Sequence, residues 1–221
     1  MRRHDLVYLH AGAAIETVRS APMESPILAL ATWLESGRPL VAARQGEHPG
    51  KLALGLRLPN NPIRRLALMV APDAVASVRP PLLPENCMSR LPPSFHAPLR
   101  ELASEIRGVG ARVGVYGSVA WEVLSDHGYR HPDSDIDLIV DVENRYQLET
   151  AIDVLGRIAG LLPCRLDGEV RIPNGDAVNW RELAAAYASR SGNLLVKGER
   201  AVSLKPLANL LDSFSVASSL R

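Results

Sequence analysis

The chain has 221 residues, enough for one large domain or two small ones. Hydrophobic residues make up 47% and charged residues 22%, a globular balance that excludes a disordered chain. A formal net charge of only +1 leaves no global basic footprint for nucleic acid, but allows a local basic pocket around a polyphosphate. Cys87 and Cys164 lack metal-ligand or CxxC spacing and give no disulfide framework, which points to a reducing, cytoplasmic setting. Arg2-Arg3 is not followed by the apolar stretch of a signal peptide, and no apolar run approaches the roughly 18 residues of a membrane span.

Residues 1–80 read as a smaller α+β unit. Ser25-Pro26 is a helix start with Pro26 in the first helical position, and Gly37 is the stop. Strands are expected at 39–44, 51–58 and 65–71. In the second, Leu52, Leu54, Leu56 and Leu58 alternate with other residues. Gly46 to Gly50 and Pro59 to Pro62 supply the turns. Pro80, Pro81, Pro84, Pro92 and Pro93 then disfavour regular structure, and residues 81–97 read as a linker.

The second unit, 98–221, opens with a helix from Pro98 to Arg107 and a strand from Arg112 to Tyr116. Residues 118–125 are expected as helix and 127–134 as a loop before an acidic strand. Leu148, Ala151, Ile152, Leu155, Ile158, Ala159 and Leu162 follow helical spacing between Glu143 and Leu162. A strand at 165–172, a Pro173-Asn174-Gly175 turn and a helix capped by Asn179, with Glu182 three residues on, come next. Residues 194–197 and 201–205 form a hairpin, and a short helix follows Pro206. Six histidines show no HExxH, and His127 and His131 fall in the loop as solvated groups. Gly108-Val109-Gly110 precedes a strand instead of following one, so a dinucleotide fingerprint fails on context.

Gly117-Ser118 and Asp135-Ile136-Asp137 carry the chemistry. Residues two apart in a strand share a face, so Asp135 and Asp137 project together while Ile136, Leu138 and Val140 are buried on the other side. Paired carboxylates repel unless a cation lies between them, and magnesium suits oxygen ligands and substrate phosphates. Gly117 permits close approach of backbone to a phosphate, and Ser118 offers donors at a helix start. The helix joining the acidic strand to 165–172 makes those strands parallel, which levels Asp167 with Asp135 and Asp137. Asp167 is the first choice for a third carboxylate and Glu169 the second. Gly117-Ser118 must face the start of the acidic strand, so the strand at 112–116 runs antiparallel to it.

Gly-Ser, then Asp-x-Asp, then an acidic residue on the next strand resembles the nucleotidyltransferase superfamily over residues 100–205. More narrowly, the chain resembles the malonate decarboxylase holo-acyl-carrier-protein synthases, the phosphoribosyl-dephospho-CoA transferases. Matching segments are Arg3-His4-Asp5-Leu6, 37–41, 115–121, 134–138, Leu166-Asp167-Gly168-Glu169 and 179–183. The resemblance implies an α+β (α/β) chain whose carboxyl-terminal nucleotidyltransferase-fold domain has a mixed sheet. It implies a triphosphoribosyl-dephospho-CoA donor and, as partner, the apo acyl-carrier subunit of malonate decarboxylase, with no nucleic acid or membrane. Asp135, Asp137 and Asp167 would hold Mg2+, with Mn2+ as an alternative, and Asp167 or Glu169 would help deprotonate the acceptor serine. Gly117 and Ser118 would hold the donor's β- and γ-phosphates, and Lys197 or Lys205 would neutralise pyrophosphate. Two other readings stand beside it: a nucleotidyltransferase using an NTP on a small molecule or protein, and a non-catalytic nucleotide-binding regulatory module. The amino-terminal unit either covers the coenzyme or docks an acidic carrier through Arg57, Arg64 and Arg65.

Overall fold

A computed structural model describes residues 1–18, 24–46, 48–59 and 65–218. It has a two-domain α+β architecture with a six-stranded sheet in each half. The first sheet contains β1 (Leu6–Leu9), β2 (Ile15–Thr17), β3 (Leu40–Ala42), β4 (Leu52–Arg57), β5 (Arg65–Val70) and β6 (Val75–Arg79). Their order is β2-β5-β4-β3-β1-β6, with every pairing antiparallel. Helix α1 (Glu24–Glu35) brings Leu30 and Trp33 onto a core with Leu40, Leu54, Leu56 and Leu68. The leucine alternation therefore marks the buried face of β4. Residues 60–62 of the expected turn lie outside the described residues.

The proline-dense segment is not a structureless linker. It carries α2 (Pro84–Cys87) and two 3-10 turns, Met88–Arg90 and Pro93–Phe95, and Leu82 bridges to Val115. Pro84 and Pro93 stand in the first turns of their helices, where a missing N–H costs nothing. Cys87, Met88, Leu91 and Phe95 are buried in the second domain's core. Prolines that would break a helix in its interior begin one here.

That core lies between the second sheet and its helices. Helices α3 (His96–Gly108), α4 (Gly117–Ser125), α5 (Arg145–Ala159), α6 (Trp180–Ser189) and α7 (Leu207–Ser218) accompany six strands. The strands are β7 (Arg112–Tyr116), β8 (Ile136–Asp141), β9 (Leu166–Arg171), β10 (Ala177–Asn179), β11 (Asn193–Lys197) and β12 (Val202–Pro206). The sheet is mixed: β7 is antiparallel to β8, and β8 is parallel to β9. Ile136, Leu138 and Val140 pack with Leu99, Leu102, Leu148 and Leu155 on one face. The opposite face carries Asp137, Asp141, Asp167, Glu169 and Arg171, in the register Asp137↔Asp167 and Asp141↔Arg171. Sequence reasoning passed over β1, β2, β6 and β10, which are three to five residues long. Among the described residues no helix is long and apolar enough to cross a membrane.

Residues 2–5 cover the polar face. Arg171 donates to both carboxylate oxygens of buried Asp141, at 2.5 and 3.0 Å, and to the Arg3 carbonyl at 2.8 Å. Trp33 and Trp121, 5.6 Å apart and edge-on, join the two domains elsewhere, and the Tyr129 hydroxyl donates to the Arg57 carbonyl at 3.0 Å.

Gly168 fixes the spacing of β8 and β9. Its φ is 149°, and a Cβ there would stand 2.1 Å from the Leu138 carbonyl oxygen. Gly168→Ala should therefore lower unfolding stability by about 3 kcal/mol or more. Gly156, inside α5 with nothing within 4 Å of its missing Cβ, should respond oppositely. Gly156→Ala should stabilise by about 0.5–1 kcal/mol. Denaturant midpoints of the two variants should move in opposite directions.

Candidate active site

Between the domains lies a cavity of about 670 Å³. Its second-domain wall includes Tyr116, Gly117, Ser118, Ser134, Asp135, Asp137, Glu169 and Lys197, and its first-domain wall includes Val41, Gly55, Arg57, Arg65 and Ala67. Leu6, Leu66, Val115, Trp121 and Leu124 add apolar surface.

The antiparallel pairing of β7 with β8 sets Tyr116 opposite Asp137, so the turn into α4 falls beside the acidic strand, as the direction argument required. Gly117 has φ 68°, and a Cβ would lie 1.8 Å from Asp137 Oδ2. Only glycine fits this approach. No side chain caps the start of α4, and Ser118, 7% exposed, lines the cavity there. A helix start of this kind presents amides to an anion.

Asp137 is pushed up to about 6, first by burial and then by the charges of Asp167 and Asp135. The parallel register puts Asp167 directly across from it. Asn179 holds Asp167: its Nδ2 donates to Asp167 Oδ1 at 2.9 Å while its Oδ1 accepts the Arg181 and Glu182 amides that begin α6. Arg165, largely exposed, lies 3.8 Å from Asp135 and 3.9 Å from Asp167. Such a solvated pair contributes little. Among the described residues no group of three or more His, Cys, Asp or Glu is drawn together as a ready-made metal cage. The charges of Asp167 and Asp135 nevertheless add to burial in raising Asp137. Magnesium takes one or two carboxylates and completes its shell with water and substrate phosphates, so an open acidic cluster fits it better than a closed one.

Glu169 has different surroundings. It is 4% exposed, ion-paired with Arg3, and accepts from Lys197 Nζ at 2.8 Å. Burial alone would raise its carboxyl, but the Arg3 and Lys197 charges in contact with it outweigh burial and lower it to about 2. His4 stacks on Tyr116 with ring centroids 3.9 Å apart, and its φ of 74° is unusual for a side-chain-bearing residue. Its Nε2 is 3.9 Å from Glu169 Oε2, too far for a hydrogen bond. Burial chiefly lowers the His4 pKa, so the ring is neutral near pH 7. Burial, then the charges of Glu169, Asp137 and Asp167, raises the Tyr116 phenol, which stays protonated.

The structure thus gathers Gly117, Ser118, Asp135, Asp137, Glu169 and Lys197 around one cavity, with Asp167 beside Asp137. Lys205 does not line it and donates to Asp176 at 2.6 Å. His127 and His131 are exposed, as expected. Arg57 and Arg65, which sequence offered as a docking edge or a solvated face, line the cavity, and Arg64 lies outside the described residues. Arg3, His4 and Tyr116 received no role from sequence. Arg3 and His4 stood in a matching segment, but nothing local reveals a partner 166 residues away.

The chain matches the model of the phosphoribosyl-dephospho-CoA transferase MdcG amino-terminal domain over residues 2–81 and that of the carboxyl-terminal domain over residues 78–208. A phosphoribosyl-dephospho-CoA transferase of Xanthomonas campestris pv. campestris is 32% identical over 207 residues, covering 92% of this chain and 93% of its own. One from Xanthomonas euvesicatoria is 33% identical over 218 residues, covering 97% and 99%. One from Bradyrhizobium diazoefficiens is 32% identical over 206 residues, covering 91% and 89%. No solved structure matches. Both domain models match in order, and relatives align along nearly their whole length, so the chain belongs to the phosphoribosyl-dephospho-CoA transferase family.

Proposed function

We propose that this chain transfers the phosphoribosyl-dephospho-CoA group from triphosphoribosyl-dephospho-CoA to a serine of the apo acyl-carrier subunit of malonate decarboxylase. The observation that carries the reading is the pair Asp135 and Asp137 beside the glycine-serine turn in a cavity walled by both domains, with Asp167 directly across from Asp137. The serine oxygen bonds to the donor's α-phosphorus, the bond from that phosphorus to the bridging oxygen breaks, and pyrophosphate leaves. Asp167, oriented by Asn179, takes the serine proton.

Asp135, Asp137 and Asp167 would hold Mg2+, with Mn2+ as the alternative. A bound divalent ion supplies charge neutralisation and polarisation at the phosphoryl group. The raised pKa of Asp137 comes first from burial and then from the charges of Asp167 and Asp135, and a cation bound beside it would offset the latter part. Gly117 and Ser118 position the β- and γ-phosphates. Glu169 positions Lys197 and Arg3 and is not needed as a ligand. The apolar part of the cavity wall suits the coenzyme's pantetheine arm, whose remote binding energy aligns the reacting phosphate. This feature favours the coenzyme donor over a simple NTP and gives the amino-terminal domain a covering role.

Incubated with magnesium, the donor and an apo carrier, the protein should raise the carrier's mass by the phosphoribosyl-dephospho-CoA group and release pyrophosphate, and a Ser→Ala carrier should gain nothing. Asp135→Asn, Asp137→Asn and Asp167→Asn should each cut turnover more than about a hundredfold. Glu169→Gln should act mainly by loosening Lys197 and Arg3. Transfer of AMP from ATP with none from the coenzyme donor would refute the donor assignment, and near-normal turnover of Asp137→Asn the acidic site.

The Asp137 shift also has a sign. Its folded pKa, about 6, lies above the ordinary 3.8, so the folded state binds this proton more tightly than the unfolded chain. The resulting penalty is full above pH 6 and is relieved as pH falls through 6 toward 4. Without magnesium, the melting temperature of wild type relative to Asp137→Asn should rise between pH 7 and pH 5. A pH-independent difference would contradict the assigned shift.

A further inference from the structure

Arg57 and Arg65 stand directly opposite one another across β4 and β5, and both line the cavity that contains Asp135 and Asp137. Like charges at opposed strand positions repel and weaken the pair. Among the described residues neither guanidinium forms an ion pair with a carboxylate, whereas Arg3, Arg90, Arg130 and Arg171 do. Arg57 is half-buried, its guanidinium carbon 5.4 Å from the centroid of the Tyr129 ring.

The cavity therefore sets two carboxylates, Asp135 and Asp137, on the second domain against two guanidiniums on the first. A divalent cation answers the first, and an anion with several oxygens answers the second. A metal-bound polyphosphate answers both at once. We propose that Arg57 and Arg65 form a pyrophosphate-binding subsite, supplied by the amino-terminal domain. The identity of this ligand as the leaving group rests on the reaction proposed above. Guanidinium forks match phosphate oxygens in a bidentate manner, which suits them to a leaving group that gains charge as its bond breaks. Lys197 is already engaged by Glu169, so the two arginines provide cationic charge that no internal carboxylate holds. Their place in the cavity, with Arg57 packed on Tyr129, also argues against an outer docking edge for an acidic carrier.

Calorimetric titration of the whole protein with magnesium pyrophosphate reads the subsite without turnover. Arg57→Gln and Arg65→Gln should each weaken affinity at least about tenfold, and Arg65→Lys by less. Arg65 is exposed, so its variants should melt like wild type and keep the test independent of folding. Unchanged pyrophosphate affinity in both glutamine variants overturns the subsite. If the KM for the carrier rises in those same variants, the arginines dock the carrier instead. A wild-type chain that binds pyrophosphate through these arginines, yet modifies no apo carrier, would leave the subsite standing and overturn the transfer reaction.

Discussion

One sheet face carries more negative charge than a folded protein can bury without help, and the arrangement of the molecule follows from how that charge is met. Asp141 is met inside the sheet by Arg171, with two hydrogen bonds in the next strand's register. Glu169 is met by Lys197 of its own domain and by Arg3 of the other. Among the described residues, Asp135 and Asp167 have the largely exposed Arg165 at 3.8 and 3.9 Å, and Asp137 faces Arg57 and Arg65 across the cavity, beyond ion-pair range. Neutralisation thus weakens from one end of β8 to the other, and the cavity opens at the weak end. Buried charges are costly unless paired, so the paired carboxylates Asp141 and Glu169 are the buried ones, while Asp135, Asp137 and Asp167 stay half-buried.

This charge pattern also explains how the domains are joined. Residues 2–5 act less as a strand lead-in than as a plug in the polar face: Arg3 reaches Glu169, its carbonyl accepts from Arg171, and His4 lies flat on Tyr116. The left-handed backbone of His4 costs roughly 1 kcal/mol or more and persists because both of its neighbours are fixed. The Trp33–Trp121 contact and the bond from Tyr129 to the Arg57 carbonyl hold a second edge. The cavity walls are therefore set by interactions between the halves as well as within them.

Local pattern made much of this legible. The alternation in β8 separates Ile136, Leu138 and Val140 from Asp137, and helix-linked parallel strands place Asp167 level with it. The need to bring Gly117 to Asp137 gave the antiparallel direction of β7. Other features stayed hidden for physical reasons. Pro84 and Pro93 break chains or begin helices depending on context, and only the packing of Cys87 and Phe95 decides which. Glu169 and Asp167 look alike in sequence, since both lie on one face of one strand. Their environments diverge through Arg3 and Lys197, contacts that periodicity does not encode. Arg57 and Arg65 resembled a solvated edge because the domain facing them begins beyond the next strand.

Asn179 has a consequence for which amino acids its position can accept. It ends β10, starts α6 and restrains Asp167 with one planar amide, oxygen toward the helix and nitrogen toward the carboxylate. Aspartate caps helices equally well but would meet Asp167 with a second negative charge. Serine and threonine cap too, but their shorter side chains cannot extend in two directions at once. One of Asp167's oxygens is committed to the amide, which leaves the other oriented by the helix start itself. A displacement of α6 would be transmitted as a rotation of that carboxylate, coupling the seating of a helix to the aim of a single lone pair.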